Sequence, residues 1–116
     1  AADGPTPCAD APPVLVGCSR HSSDSAIRAA DSGADVVQLG PVWSTPEKER
    51  YGAALGIEAL GAARAVMASR CLLVAVGGID SPERAASARA AGADAIAVIR
   101  AVWTSRDPTA AALALA

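Results

Sequence analysis

The sequence predicts an α/β protein in which four parallel strands alternate with helices. The clearest observation is the apolar run 72–76, which ends at Gly77-Gly78. An unbroken apolar run of this length is typical of a strand buried on both faces of a parallel sheet. Ser81 and Pro82 then supply a helix N-cap and a first helical residue. This stretch therefore predicts a strand, a tight turn and a helix.

A repeat of two strand–helix units supports this alternation. Gly33-Ala34-Asp35 and Gly92-Ala93-Asp94 stand 59 residues apart, and each precedes a mostly apolar segment. Each motif places Gly at a predicted helix end and Asp in the turn before a strand. Four such units are half of an eight-stranded α/β barrel of the TIM type. Because four strands alone would expose two parallel edges, we expect a missing N-terminal half or a second copy to complete the barrel, and therefore a homo-oligomer or a longer parent.

The other elements follow from the same signals. Residues 1–13 hold four prolines and predict an irregular lead-in to a domain over 14–116. A polar loop at 41–52 is longer than the connection requires, which is typical of functional loops. The predicted strands are 14–18, 36–40, 72–76 and 95–99. The predicted helices are 24–32, 57–69 and 82–91, with a last helix opening at 107–108.

Composition argues against several classes of partner. The chain is 52% hydrophobic and 19% charged with a net charge of −2, which gives no electrostatic case for nucleic acid or an anionic membrane. No apolar run reaches the roughly 20 residues that span a bilayer. Cys8, Cys18 and Cys71 form no CxxC pair and no metal-binding cluster with histidine. An odd number of thiols favours a reducing cytoplasm as the location.

Candidate functional residues gather where the predicted strands end, because parallel α/β folds carry their sites at the carboxyl ends of the strands. His21, the only histidine, could act as a general acid or base, or could only cap a helix or face solvent. Lys48, the only lysine, and Thr45 could hold an anion, or belong to a solvated loop. Ser19 could donate to a phosphate oxygen, or serve only as a turn residue.

The glycine pair gives the best-supported pocket. Backbone N–H groups gathered at a strand–helix turn suit a phosphate, and in eight-stranded barrels the last two loops often form such a site. If this chain supplies those strands, Gly77, Gly78 and the backbone near Arg100 line the pocket. From the stretch alone, a glycine-rich turn that binds nothing is the equal alternative.

Several segments together resemble the thiamine phosphate synthase family and the related TenI-type thiazole tautomerases. They are 16–22, 33–48, Gly56, 74–79 and 92–99, in the family's order from residue 14 to about 108. The resemblance implies a (β/α)8 barrel of which this chain supplies strands five to eight. It also implies thiamine biosynthesis by a transferase that joins hydroxymethylpyrimidine diphosphate to thiazole phosphate and releases pyrophosphate with the help of Mg²⁺.

The resemblance also implies roles for individual residues. Ser19 is similar to the serine that contacts pyrophosphate, and Lys48 to the lysine that neutralises it. Thr45 resembles a threonine of the thiazole phosphate site. Gly78, with the amides near Ile99 and Arg100, resembles the cradle for that phosphate.

Two alternatives remain open at this point. A TenI-type tautomerase would use His21, which matches the histidine that shuttles a proton in those enzymes. A non-catalytic phosphate-binding half-barrel is favoured by departures from the family pattern. Glu47 and Arg100 replace residues that are usually Thr and Ser, and the magnesium ligands of the family are absent. We therefore expect Mg²⁺ in the intact synthase but no metal ligand in this chain, and no turnover by the 116 residues alone.

Overall fold

A computed structural model of the chain describes residues 13–45 and 52–116. Within these ranges, four strands form one parallel sheet in the order β1-β2-β3-β4, with helices between them. This confirms the predicted α/β class and its four strand–helix units. Apart from Pro13, the predicted lead-in lies outside the described residues. The strands are β1 (Gly17–Arg20), β2 (Val36–Leu39), β3 (Leu72–Val76) and β4 (Ala95–Ala97). The helices are α1 (Ser23–Asp31), α2 (Ile57–Val66), α3 (Pro82–Ala90), α4 (Arg100–Trp103) and α5 (Pro108–Leu115).

Serine caps fix the starts of α1 and α3. Ser22 Oγ accepts from the Ser25 N–H at 3.1 Å, and Ser81 Oγ accepts from the Arg84 N–H at 3.2 Å. Each hydroxyl satisfies an N–H that a helix start leaves without an intrahelical partner. The two helices therefore lie within one residue of their predicted bounds, and Ser22 is the cap of α1.

Three element bounds differ from the prediction. β1 covers Gly17–Arg20 rather than 14–18, because the apolar residues before it lie exposed outside the strand. α2 ends at Val66, three residues early, because Met67 leaves helical backbone at φ −58° and ψ 143°. β4 stops at Ala97, and the chain then enters α4, a one-turn helix that the sequence did not predict.

The sheet is covered on one face only, which corrects the expectation that β3 is buried on both. Leu73 and Ala75 are fully buried, whereas Leu72, on the opposite face, is 49% exposed. In β2, likewise, Val37 is fully buried and Gln38 is exposed. Side chains alternate along a strand, and the described helices pack on one side of it. The other side is an open sheet face.

The repeated Gly-Ala-Asp motif ties each even-numbered strand to the strand before it. Asp35 donates its N–H to the Val16 carbonyl at 2.8 Å, and its carboxylate accepts from the Val16 N–H at 2.9 Å. Asp94 makes the same pair of bonds with Leu73, both at 2.8 Å. The glycine of each motif lies at positive φ, as a helix C-terminus often requires. The repeat therefore has a structural role at the amino ends of the strands.

Arg64 strengthens the second copy of this motif. Its Nη1 donates to the Asp94 carboxylate at 2.8 Å and to the Cys71 carbonyl at 2.9 Å, and its Nη2 donates to the Ala68 carbonyl at 2.8 Å. These bonds join the end of α2 to the starts of β3 and β4. Cys71 is fully buried there, and this burial raises the pKa of its thiol.

Among the described residues, no helix has the length and apolar character needed to cross a membrane.

We expect Asp94→Ala to lower the free energy of unfolding by about 1–3 kcal/mol, because it leaves the Leu73 N–H without its acceptor and removes the carboxylate that pairs with Arg64. Asp31→Ala, at the exposed end of α1, should change it by less than about 0.5 kcal/mol. Urea unfolding of both variants measures the difference. Equal losses would contradict the bracing role of Asp94.

Candidate functional site

The candidate residues that the structure describes lie at one end of the sheet, as the sequence predicted. Together they come from all four strands or from the loops that follow them. Because the strands are parallel, their carboxyl ends all lie at the same end of the sheet. Lys48 lies outside the described residues, as does Glu47. The described candidates are Ser19 in β1, His21 after β1, Thr45 after β2, Gly77 and Gly78 after β3, and Ile99 and Arg100 after β4.

His21 is oriented by the backbone of the neighbouring strand. Its Nδ1 lies 2.9 Å from the Gly40 carbonyl oxygen. Since a carbonyl oxygen can only accept, Nδ1 carries a proton, and in the neutral ring Nε2 holds the lone pair. Gly40 is itself held, because its N–H donates to the Arg20 carbonyl at 3.2 Å. The exposed His21 ring therefore presents Nε2 as a base at the end of β1.

Ser19 has a polar neighbour that sequence reasoning missed. Ser19 and Gln38 are register partners in β1 and β2, and both are exposed on the open sheet face. The signal was present, since Gln38 is the only polar residue of its strand. Its amide adds a donor and an acceptor beside the Ser19 hydroxyl. The two side chains form a polar pair that a ligand lying on this face would meet.

The glycine pair is required by the loop that packs against it. Gly77 and Gly78 have φ values of 102° and 72°, which L side chains rarely adopt. A Cβ at Gly77 would lie 2.6 Å from Pro41 Cα, and one at Gly78 would lie 2.6 Å from Trp43 Cβ. The turn after β3 and the loop after β2 therefore touch through their backbones.

Hydrogen bonds extend the pairing of β2 and β3 beyond the strands. The Val42 N–H donates to the Val76 carbonyl, and the Trp43 N–H donates to the Gly77 carbonyl, both at 3.0 Å. These bonds hold the first residues of the long loop along the glycine turn.

The far end of the same loop returns to this place. The Leu55 N–H donates to the Pro41 carbonyl at 2.8 Å, and the Gly56 N–H donates to the Val42 carbonyl at 2.9 Å. Both described ends of the loop that carries Thr45 are therefore anchored at the carboxyl end of β2.

Arg84, in the first turn of α3, locks the two loops together. Its Nη1 donates to the Gly78 carbonyl at 2.8 Å, and its guanidinium carbon lies 5.2 Å from the centre of the Trp43 ring. It also pairs with Asp80 at 3.5 Å. Sequence reasoning missed Arg84, because its position in the helix does not show which loop it reaches.

The turn after β4 also lies at the carboxyl end of the sheet. Val76 and Ala97 are register partners, so the residues that follow them leave adjacent strands. Ile99 lies just before α4 and accepts the Trp103 N–H at 2.9 Å, and Arg100 is the first residue of that helix. The prediction had Arg100 directly after a longer strand. In the structure, the strand is shorter and Arg100 begins a helical turn.

The described residues do not form a metal site. No group of three or more His, Cys, Asp or Glu side chains that could hold a metal ion occurs in the described ranges. Asp80, which follows the glycine turn, is paired with Arg84. The donor set that Mg²⁺ prefers, several oxygens around one point, is not assembled by this part of the chain.

A sequence model of the family described as thiamine monophosphate synthase matches residues 6–102. The chain belongs to this family. It is 44% identical over 104 residues to the thiamine-phosphate synthase of Methanoculleus marisnigri, a match that covers 90% of this chain and 48% of that protein. It is 40% identical over 98 residues to the thiamine-phosphate synthase of Chloroflexus aurantiacus, which covers 84% of this chain and 44% of that protein.

Solved structures share this fold, and one of them supports the family assignment. The thiamine phosphate pyrophosphorylase from Pyrococcus furiosus superimposes with a TM-score of 0.75 at 30% identity, covering 88% of this chain and 46% of that one. A mandelate oxidase bound to benzoyl-formic acid superimposes with a TM-score of 0.62 at 32% identity, covering 89% and 28%. The predicted resemblance to thiamine phosphate synthases is thus confirmed. The chain spans about half the length of the synthases it matches.

We expect Gly78→Ala to destabilise the chain by about 1–3 kcal/mol more than Gly33→Ala. Both glycines have positive φ, but a Cβ at Gly33 would meet nothing within 4 Å, whereas a Cβ at Gly78 would strike Trp43. Comparing the two variants therefore separates the cost of backbone strain at positive φ from the cost of the collision with Trp43. Thermal or urea unfolding measures both, and equal losses would contradict close packing of the loops.

Proposed function

We propose that this chain supplies the phosphate-handling side of a thiamine-phosphate synthase, which joins a hydroxymethylpyrimidine diphosphate to a thiazole phosphate. One observation carries the proposal: the family match over residues 6–102 includes every candidate residue, and the described ones lie at the carboxyl end of the sheet. Release of pyrophosphate from the pyrimidine carbon spreads positive charge over that ring. The site must therefore stabilise a departing polyanion rather than supply a strong base.

On the pyrophosphate side, Ser19 and Lys48 have the required chemistry. The Ser19 hydroxyl is exposed on the open sheet face and can donate to a phosphate oxygen. A lysine ammonium neutralises anionic charge as a compact point charge. Mg²⁺, which the family resemblance implies, finds no ligand set in the described residues, so only the hydroxyl and the ammonium are assigned here.

On the thiazole phosphate side, Thr45, Gly78 and the backbone at Ile99 and Arg100 are assigned the phosphate. Gly78, at positive φ and without a side chain, lets the loop that carries Thr45 pack against the backbone of the glycine turn at Trp43. The start of α4 follows the adjacent strand, and Arg100 adds positive charge there. Anchored loop ends and the Arg84 contact keep the cradle in place before a ligand arrives.

The test is a chimera in which this chain replaces the matching segment of the Methanoculleus marisnigri synthase. We expect the chimera to form thiamine phosphate, and Lys48→Ala to reduce turnover by about 100-fold or more, because a charge aimed at the leaving group is lost. Arg70→Ala is the matched control, since Arg70 is exposed just before β3 at the opposite end of the sheet.

Unchanged turnover in Lys48→Ala would contradict the assigned role. A chimera that forms no product, while a phosphate ester still raises the melting temperature, would instead support the non-catalytic phosphate-binding alternative.

A TenI-type thiazole tautomerase is the second candidate, and the geometry of His21 favours it. The bond from Nδ1 to Gly40 leaves Nε2 as a base at the site edge, which a proton shuttle requires. Coupling does not require such a base.

We therefore expect His21→Asn to abolish tautomerisation by a tautomerase while leaving coupling by a synthase within severalfold. Asn keeps a donor near the Nδ1 position but supplies no base. The two activities are measured side by side in the chimera with its His21→Asn variant. A loss of coupling in the His21→Asn variant would contradict the expectation that coupling does not require this base.

A further inference from the structure

Two consecutive carbonyls of the glycine turn after β3 are each held by a donor. The Gly77 carbonyl accepts from the Trp43 N–H at 3.0 Å, and the Gly78 carbonyl accepts from Arg84 Nη1 at 2.8 Å. The second bond is charge-assisted, because its donor is a guanidinium, which stays protonated. Arg84 thus continues, with a side chain, the row of donors that the backbone of the loop after β2 begins.

The same two peptides present their N–H groups in the opposite direction. Both peptides are trans, and a trans peptide aims its N–H and its carbonyl to opposite sides. The N–H of Gly78 shares a peptide with the Gly77 carbonyl, and the N–H of Ile79 shares one with the Gly78 carbonyl. Both N–H groups therefore point away from the two donors that hold the turn.

These two N–H groups are available to a ligand. Within residues 13–45 and 52–116, neither of them has a hydrogen-bond acceptor. Ile79 is only 4% exposed, and buried backbone donors are seldom left without an acceptor in folded proteins. Successive backbone N–H groups in a turn are a common binding place for anions. A ligand with an anionic oxygen would satisfy the donors of Gly78 and Ile79 together.

Arg84 places positive charge behind this pair of donors. Its guanidinium carbon lies 5.2 Å from the centre of the Trp43 ring, and its Nη1 lies 3.5 Å from Asp80 Oδ1. Because the Asp80 side chain is 66% exposed, water screens its charge. The shorter contact is the one with the Gly78 carbonyl. It polarises that peptide, and the Ile79 N–H becomes a stronger donor because hydrogen bonds in a chain reinforce one another.

The start of α3 sets the position from which Arg84 reaches the turn. Ser81 Oγ accepts the backbone N–H of Arg84 at 3.2 Å, and Pro82 is the first residue of the helix. A capping serine and a proline at this place favour one geometry for the first helical turn. The guanidinium therefore extends from a fixed backbone.

We propose that Arg84 is a positioning residue for a phosphate ester at the glycine turn. It orients and polarises the peptide between Gly78 and Ile79, so that the N–H groups of these two residues bind one phosphate together. The inference rests on the proposed function, which assigns the thiazole phosphate to this turn. Arg84 acts through the peptide and is not placed in contact with the substrate. Its loss should weaken phosphate binding while the turn itself remains.

Nuclear magnetic resonance of the isotope-labelled chain tests this role without an enzyme assay. Thiazole phosphate is titrated into the chain, with inorganic phosphate as a second probe, while the backbone amide protons are followed. In the wild-type chain we expect saturable downfield shifts of the Gly78 and Ile79 amide protons, because an anionic acceptor deshields the proton donated to it. The same titration gives the dissociation constant.

Variants of Arg84 separate its charge from its packing. Arg84→Met removes the charged donor but keeps a long side chain that can cover the Trp43 ring. We expect it to weaken thiazole phosphate binding by about 10-fold, the scale of one charge-assisted hydrogen bond. The Ile79 amide proton should also move upfield in the ligand-free variant. Arg84→Lys keeps the charge and one donor, and should restore most of the affinity.

Two controls exclude general effects of charge and stability. Arg70→Met removes an exposed arginine just before β3, at the other end of the sheet, and should change the affinity by less than about twofold. Asp80→Asn removes the carboxylate beside Arg84 but not the bond to Gly78, so it should bind at least as tightly as the wild type. The amide spectra show whether each variant is folded.

A further variant covers the case in which Arg84→Met does not fold. Arg84→Gln can still donate to the Gly78 carbonyl, but its amide carries no charge. It should bind thiazole phosphate more weakly than Arg84→Lys does. Equal affinities of these two variants would overturn the proposed effect of the charge.

Three other results would count against the proposal, and they have different consequences for the proposed function. Equal affinities of the wild type and Arg84→Met would overturn the role of Arg84 but leave the phosphate assigned to the turn. Weak binding that Arg84→Lys does not restore would show that packing rather than charge matters, and would also overturn it. A wild-type chain in which neither probe moves the Gly78 or Ile79 amide proton would overturn the phosphate assignment itself, and the role of Arg84 with it.

Discussion

Close contact between the carboxyl ends of β2 and β3 is the constraint on which the site depends. A side chain at Gly40 would collide with the Val76 carbonyl, and side chains at Gly77 and Gly78 would collide with Pro41 and Trp43. Three glycines are therefore required by one contact. Because the two loops touch through backbone, they behave as one unit, and Arg84 fastens that unit from α3.

The amino end of the sheet carries stabilising hydrogen bonds, whereas the carboxyl end carries the candidate functional residues. At the amino ends, Asp35, Asp94 and Arg64 satisfy backbone groups and join strands to helices. At the carboxyl ends, Ser19, His21 and Arg100 are exposed, and the loops pack through the glycine turn. This division is typical of parallel α/β folds, where loops at one end vary in chemistry while the other end holds the scaffold. The repeated Asp belongs to the scaffold, although its repetition alone could have indicated a site.

Short sequence signals predicted the bounds of those elements that depend on neighbouring residues. The apolar run ending at Gly77 fixed β3 to the residue, and the serine caps fixed α1 and α3 to within one residue. β1 was misplaced because Val14, Leu15 and Val16 are apolar but exposed, and they lie before the strand. Gln38 and Arg84 were missed because strand register and loop contacts bring them to the site, and neither can be read from adjacent residues in the sequence. Lys48 stays a prediction, since it lies outside the described residues.

The exposure of Ser19, His21 and Arg100 limits what they can do in the described chain alone. Ser19, His21 and Arg100 are all open to solvent in the single chain, where water screens charge and competes for every hydrogen bond. Donors stabilise a departing polyanion far better when water is excluded and the donors are fixed. The single sheet fixes its loops through Gly78 and Trp43 but excludes no water from its open face. Under the proposed function, a cover over that face would exclude water from the fixed loops and so strengthen their hold on a phosphate ester.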